Sequence, residues 1–192
     1  MKNKNTLRFG VLAGIIGLAT LTRVILPPVL GHPSNFAPIG ALALFSGCYF
    51  NSRFLKFFVP LFALWFGDLF VDYLATGKFM LFYQGFYWQY ACYVIFAFMG
   101  MALTNKVKPL NVVGSSLVAS TLFFLITNFG VWAGGMIGYP HTLAGLSTCY
   151  IAAVPFFGNT LAGDLFYSAA MFGLFELAQR RFTSLSLKPV KA

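Results

Sequence analysis

The chain alternates between long apolar runs and short polar interruptions. Six runs can be drawn, over about 7–26, 38–50, 54–75, 84–104, 112–133 and 149–178. A helix needs about 20 consecutive apolar residues to cross a bilayer; the second run is short and the others approach or exceed that length. The interruptions carry turn and helix-stop signals: Pro27-Pro28, His32-Pro33-Ser34-Asn35, Thr76-Gly77, Lys108-Pro109 and Tyr139-Pro140. Hydrocarbon offers no water to an unpaired backbone amide, so such runs are read as helices. The pattern predicts an all-α, polytopic membrane protein of six transmembrane helices, a single transmembrane domain over 1–192. The first run continues to Arg23 without a small-residue cleavage site, so no removable signal peptide is expected.

Hydrophobic residues make up 59% and charged residues 9% of the 192, against roughly 25% charged in soluble domains. The net charge of +9 does not point to nucleic acid, because the cations are scattered over termini and short loops rather than gathered on one soluble face. Membrane topology accounts for them. With the N-terminus in the cytoplasm, Lys2, Lys4, Arg8, Arg53, Lys56, Lys106, Lys108, Arg180, Arg181, Lys188 and Lys191 fall inside, and Arg23 and Lys78 fall outside. This bias predicts an even number of spans with both ends cytoplasmic.

Only four residues are acidic, and Asp68, Asp72 and Asp164 lie within apolar runs. A carboxylate in hydrocarbon is costly unless paired, protonated or facing water, so such residues point to a site or a pathway. Asp68 and Asp72, four apart, share one helix face. Thr160, Asp164 and Tyr167 share another, as do Asn128 and Trp132. All three faces are expected to point into the bundle, with Arg23 as the partner of Asp72 or Asp68. Glu176 is expected at an exposed inner helix end, paired with Arg180 four positions on. Arg23, Asn35, Asp68, Asp72, Asn128, Trp132, Tyr139 and Asp164 form the candidate substrate-binding set, mostly in the outer half. The glycine-rich loop Gly134–Thr142, with His141, is expected to act as a lid over it, and the loop Pro27–Pro38, with His32, to lie on the same outer side. The competing reading is a structural ion pair with interhelical hydrogen bonds.

Two further patterns stand out. Val59-Pro60-Leu61-Phe62 and Gly67-Asp68-Leu69-Phe70 are echoed by Val154-Pro155-Phe156-Phe157 and Gly163-Asp164-Leu165-Phe166. Two three-span halves would have to be inverted, with helix breaks at Pro60 and Pro155 and a midplane site; chance recurrence in a biased composition is the alternative. Gly10, Ala13, Gly14 and Gly17 place small residues on the first helix, either for packing within the bundle or for docking a partner subunit.

Cys48, Cys92 and Cys149 are too scattered for a disulfide framework or a zinc site and read as small buried hydrophobes. No metal site or cofactor is expected. No nucleophile, zinc-protease or nucleotide-loop motif occurs, so no enzymatic activity is expected and the chain does not itself hydrolyse ATP.

The strings Asn35-Phe36-Ala37-Pro38-Ile39-Gly40-Ala41-Leu42-Ala43-Leu44-Phe45-Ser46-Gly47, Thr127-Asn128-Phe129-Gly130-Val131-Trp132 and Val154-Pro155-Phe156-Phe157-Gly158-Asn159-Thr160 resemble a family of uncharacterised bacterial integral membrane proteins, from about Arg23 to Phe175. That family is similar, more distantly, to the S components of energy-coupling-factor (ECF) vitamin transporters. The resemblance implies six helices with both ends cytoplasmic in a bacterial inner membrane. It also implies a vitamin- or cofactor-like solute bound in the outer half, and docking through small residues of the first helix onto a membrane coupling subunit driven by ATPases. The expected function is capture and uptake of a small solute. The alternatives are a proton-coupled secondary transporter using Asp68 and Asp164, or a membrane scaffold without transport.

Overall fold

The computed structural model describes residues 2–30 (side chains of 4–25), 35–104 and 106–186. Six helices follow in order: α1 (Lys2–Leu30), α2 (Ile39–Tyr49), α3 (Arg53–Thr76), α4 (Phe86–Leu103), α5 (Pro109–Ala133) and α6 (Leu143–Arg181), then a short 3-10 turn at Thr183–Leu185. No strand occurs among the described residues. Five helices, all but α2, are long and apolar enough to cross a membrane.

The second predicted span is shorter than a crossing. The 11 residues of α2 rise about 16 Å, roughly half of the ~30 Å hydrocarbon core. Every residue of α2 is buried, and it packs against all five long helices. A helix that is apolar on every side belongs at the centre, and the long helices form a ring around it.

The backbones of α2 and α4 approach very closely. A Cβ on Gly47 would lie 2.1 Å from the Ala97 carbonyl oxygen, and one on Gly100 would lie 2.2 Å from that of Leu44. Each glycine therefore faces the other helix's backbone, the arrangement small residues permit in membrane bundles.

Arg8 fixes how the helices run. Its guanidinium donates to Gln179 Oε1 at 3.0 Å, to the Tyr49 carbonyl at 2.9 Å and to the Leu185 carbonyl. It also lies over the Phe175 ring, 5.1 Å from the centroid. The start of α1 and the ends of α2 and α6 thus meet at one end of the bundle. Thr104 Oγ1, donating to the Cys48 carbonyl at 3.2 Å, brings the end of α4 there. Arg53, Lys56, Lys106, Lys108, Arg180 and Arg181 belong to this basic end by their places in the helices, and Arg23 and Lys78 to the opposite end.

Three expectations change. Pro60 and Pro155 do not break their helices: α3 and α6 run through them, because a helix can lose one amide bond and continue. α1 reaches Leu30 at the end opposite Arg8, and α2 starts at Ile39 part-way along the bundle. The helix of α1 also includes Pro27-Pro28 rather than stopping before them. Glu176 does not pair with exposed Arg180. It accepts from the Tyr49 hydroxyl at 2.5 Å and from Gln179 Nε2 at 3.2 Å, since the end of α2 brings Tyr49 against α6. Outward, Phe54, Phe58, Phe62, Phe66 and Phe70 form an exposed ladder along α3 with centroids 4.9–6.1 Å apart, a surface suited to lipid.

Candidate functional site

The interior polar groups fall into two assemblies. The first surrounds Asp164, which is fully buried on α6. Its Oδ1 accepts from the backbone amides of Gly40 at 2.7 Å and Ala41 at 3.3 Å, and its Oδ2 accepts from Ser120 Oγ at 2.7 Å. The first amides of a helix lack partners within it, and the N-cap position of α2 is Pro38, which offers no capping side chain. Asp164 supplies that cap from another helix, with a carboxylate at the positive end of the helix dipole. Gly163 makes room: a Cβ there would meet the Ala37 amide nitrogen at 2.8 Å. Thr160, also buried, shares this face of α6.

The second assembly lies toward the end opposite the basic one, between α1, α3 and α4. Arg23 Nη2 and Asp68 Oδ1 are 2.5 Å apart, with side chains 15% and 9% exposed; this is the only ion pair recorded among the described residues. Gly67 lets the guanidinium lie across α3, because a Cβ there would meet Thr20 Cγ2 at 3.3 Å and Arg23 Nη1 at 3.7 Å. Asp68 Oδ2, Asp72 Oδ2 and the Tyr93 hydroxyl are buried without a hydrogen-bond partner, as are Trp88 Nε1 and Gln89 Nε2 in the first turn of α4 and Arg8 Nε at the basic end. Tyr83, Tyr90 and Tyr93 all lie within electrostatic reach of both Arg23 and Asp68. Burial first, and then the Asp68 charge, push the Tyr83 phenol in the α3–α4 loop above its ordinary range, which keeps it a neutral donor. Beside Arg23, Thr22 Oγ1 and the Tyr167 hydroxyl are 2.6 Å apart, tying α1 to α6.

Buried polar groups are normally satisfied, so the unpaired oxygens of Asp68 and Asp72 and the Tyr93 hydroxyl make this cluster the candidate site. It brings together a guanidinium, two carboxylates and phenols, groups that donate to and accept from polar partners.

The predicted residues divide between these assemblies and the far-end loops. Arg23, Asp68 and Asp72 come together. Asp164 sits apart from the pair as the α2 cap, and Tyr93 lies within electrostatic reach of both. Asn128 Nδ2 donates within its own helix to the Phe124 carbonyl at 2.8 Å. Trp132 Nε1 donates to the Pro140 carbonyl at 2.9 Å, and His141 Nε2 lies 3.0 Å from the Trp132 carbonyl. These bonds close the α5–α6 connection, which also contains half-buried Tyr139, and none of them reaches the Arg23–Asp68 pair. The same connection leans on α4, since a Cβ on Gly85 would lie 2.5 Å from Met136 Cε. Asn35 is exposed and holds φ 70° at the turn into α2, a left-handed conformation that Asn tolerates. His32 lies outside the described residues.

Tyr83, Gln89, Tyr90 and Tyr93 were not among the expected residues. A hint was present: Gln89 and Tyr93 are four apart, on one face of an otherwise apolar run. The three cysteines are free and buried, and no cluster of His, Cys, Asp and Glu among the described residues could hold a metal ion.

No curated protein and no solved structure matches the chain. Residues 3–185 match the model of a family of unknown function, DUF6580, and the chain belongs to that family.

Proposed function

We propose that this chain is a membrane uptake protein that captures a small polar solute in the outer half of its helical bundle, in the manner of an ECF S component. The observation that carries this reading is the Arg23–Asp68 pair with the unpartnered buried oxygens of Asp68 and Asp72 on α3 and the Tyr93 hydroxyl of α4 within its electrostatic reach. The basic end is cytoplasmic in this reading, by the positive-inside rule, and the cluster faces outward. The solute is vitamin- or cofactor-like in size, and Arg23, Asp68, Asp72, Tyr83, Gln89, Tyr90 and Tyr93 are the residues that meet it.

Two features support the finer parts of the proposal. A Cβ added at Gly10, Gly14 or Gly17 meets nothing within 4 Å. The small-residue face of α1, with half-buried Ala13, is therefore not used within the bundle, and it suits docking onto a membrane coupling subunit with its ATPases. The two Gly-Asp dipeptides lie on antiparallel helices. Gly67 makes room for the arginine that Asp68 grips, and Gly163 makes room for the chain that Asp164 caps, which favours an inverted repeat. Bacterial inner membrane is the compartment proposed.

Mass spectrometry of small molecules that co-purify in mild detergent tests the reading. Wild type should retain a solute that Arg23→Ala and Asp68→Asn lose. A wild type without bound solute, in a preparation that unfolds cooperatively, ends the uptake proposal and favours a scaffold.

A further inference from the structure

We infer that the solute carries a positively charged hydrogen-bond donor, an organic ammonium group, held by Asp68 Oδ2 and Asp72 Oδ2 beside the tyrosines of α4. The inference rests on the reading of the Arg23–Asp68 cluster as a solute site and adds the charge of what it takes. The argument is one of unmatched acceptors. Arg23 engages Asp68 through Oδ1 alone. The other oxygen of Asp68 and one oxygen of Asp72 are buried without donors. Asp68 is 7% exposed and Tyr93 1%, so both lie inside the bundle rather than out in water.

Asp68 and Asp72 stand one turn apart on one face of α3, a rise of about 6 Å. An ammonium group has three donors and can serve both oxygens. An anionic solute would face two carboxylates with the single guanidinium already committed to one of them, an arrangement that rejects like charge. Tyr83 and Tyr90 lie within electrostatic reach of Asp68 and Asp72, and Tyr93 of Asp68, and phenol faces attract cations. Gln89 Nε2 and the Tyr93 hydroxyl are left for neutral polar substituents of the same solute.

The test uses the full chain in lipid nanodiscs and three probes of matched size: benzylammonium, benzoate and benzyl alcohol, at constant ionic strength and neutral pH. Thermal unfolding is followed against probe concentration. Benzylammonium alone should raise the midpoint saturably. Asp72→Asn, which removes a carboxylate that makes no ion pair in the structure, should keep the probe-free midpoint and weaken the benzylammonium response about tenfold. Equal or stronger stabilisation by benzoate or benzyl alcohol overturns the inference. So does a flat benzylammonium titration, or an unchanged one in Asp72→Asn. If any of these occurs while wild type still co-purifies with a solute that Arg23→Ala loses, the charge assignment fails and the capture reading stands. If benzylammonium saturates wild type but vesicles containing the chain and its coupling partners take up no amine, the binding chemistry stands and the uptake reading fails.

Discussion

Asp164 on α6 accepts the amides of Gly40 and Ala41 at 2.7 and 3.3 Å, and so caps a helix that begins inside the protein and whose own N-cap position holds a proline. The same carboxylate takes the Ser120 hydroxyl from α5, so one side chain joins three helices. Asp164→Ala strands two buried amides and a hydroxyl, and should cost about 3 kcal/mol. Asp164→Asn keeps an oxygen for the amides and an NH2 for Ser120 Oγ, and should cost only about 1 kcal/mol, for the lost charge at the helix dipole. Thermal unfolding in detergent ranks the two; equal losses would show that the cap is not what Asp164 contributes.

Removing one member of the Arg23–Asp68 pair leaves the other buried and unpaired. Arg23→Ala should destabilise by about 3 kcal/mol. The double variant Arg23→Met with Asp68→Leu should recover most of that stability, because apolar residues of similar volume replace a buried pair well. It should nonetheless lose any bound solute. Unfolding midpoints together with mass spectrometry of co-purified molecules separate the structural from the functional contribution. A double variant that still holds the solute would remove the pair from the site.

The glycines of α1 and those between α2 and α4 should respond in opposite ways. Gly47→Ala and Gly100→Ala each drive a Cβ into a carbonyl oxygen of the facing helix, and should cost about 3 kcal/mol through forced separation of the backbones. Gly14→Ala meets nothing and should be neutral or gain about 0.5–1 kcal/mol in helix propensity. Unfolding of the isolated chain reads the contrast. If Gly14→Ala preserves stability but loses association with a coupling subunit, the docking role of the α1 face is supported.

Arg8 joins the start of α1, the ends of α2 and α6 and the final 3-10 turn through three acceptors. Arg8→Lys keeps the charge but lacks the planar fork that reaches Gln179, Tyr49 and Leu185 together. It should lose about 2 kcal/mol with solute binding unchanged, read by unfolding midpoints and co-purification in parallel. A loss of binding at full stability would mean that the basic end communicates with the Arg23–Asp68 cluster.

Hydropathy made five of the six helices legible, because lipid-facing length is a property of local composition. It also showed the run of α2 to be short. What it could not show was depth. That α2 starts at mid-height depends on Asp164, 124 positions away, and no window of sequence contains both residues. Arg23 and Asp68 were legible as partners because a lone cation near a helix end and an interior acid have few alternatives. The phenols of α4 were not, because tyrosine in a membrane helix reads as an interface anchor. Pro60 and Pro155 read as helix breaks because proline forbids one bond; continuous helices formed because the neighbouring bonds survive. Asn128, Trp132 and Tyr139 read as a binding wall, whereas the first two are spent on their own helix and the α5–α6 connection.

The distance in sequence between α2 and its cap has a consequence for biosynthesis. The ribosome delivers α2, the second helix of six, before α3 to α6 exist to surround it, and Asp164 arrives 124 positions after Gly40. Until then the amides of Gly40 and Ala41 have no acceptor from this polypeptide and must be served by water or by the insertion machinery. The core of the protein therefore closes late; its central element is seated only once the Asp164 turn of α6 has been made.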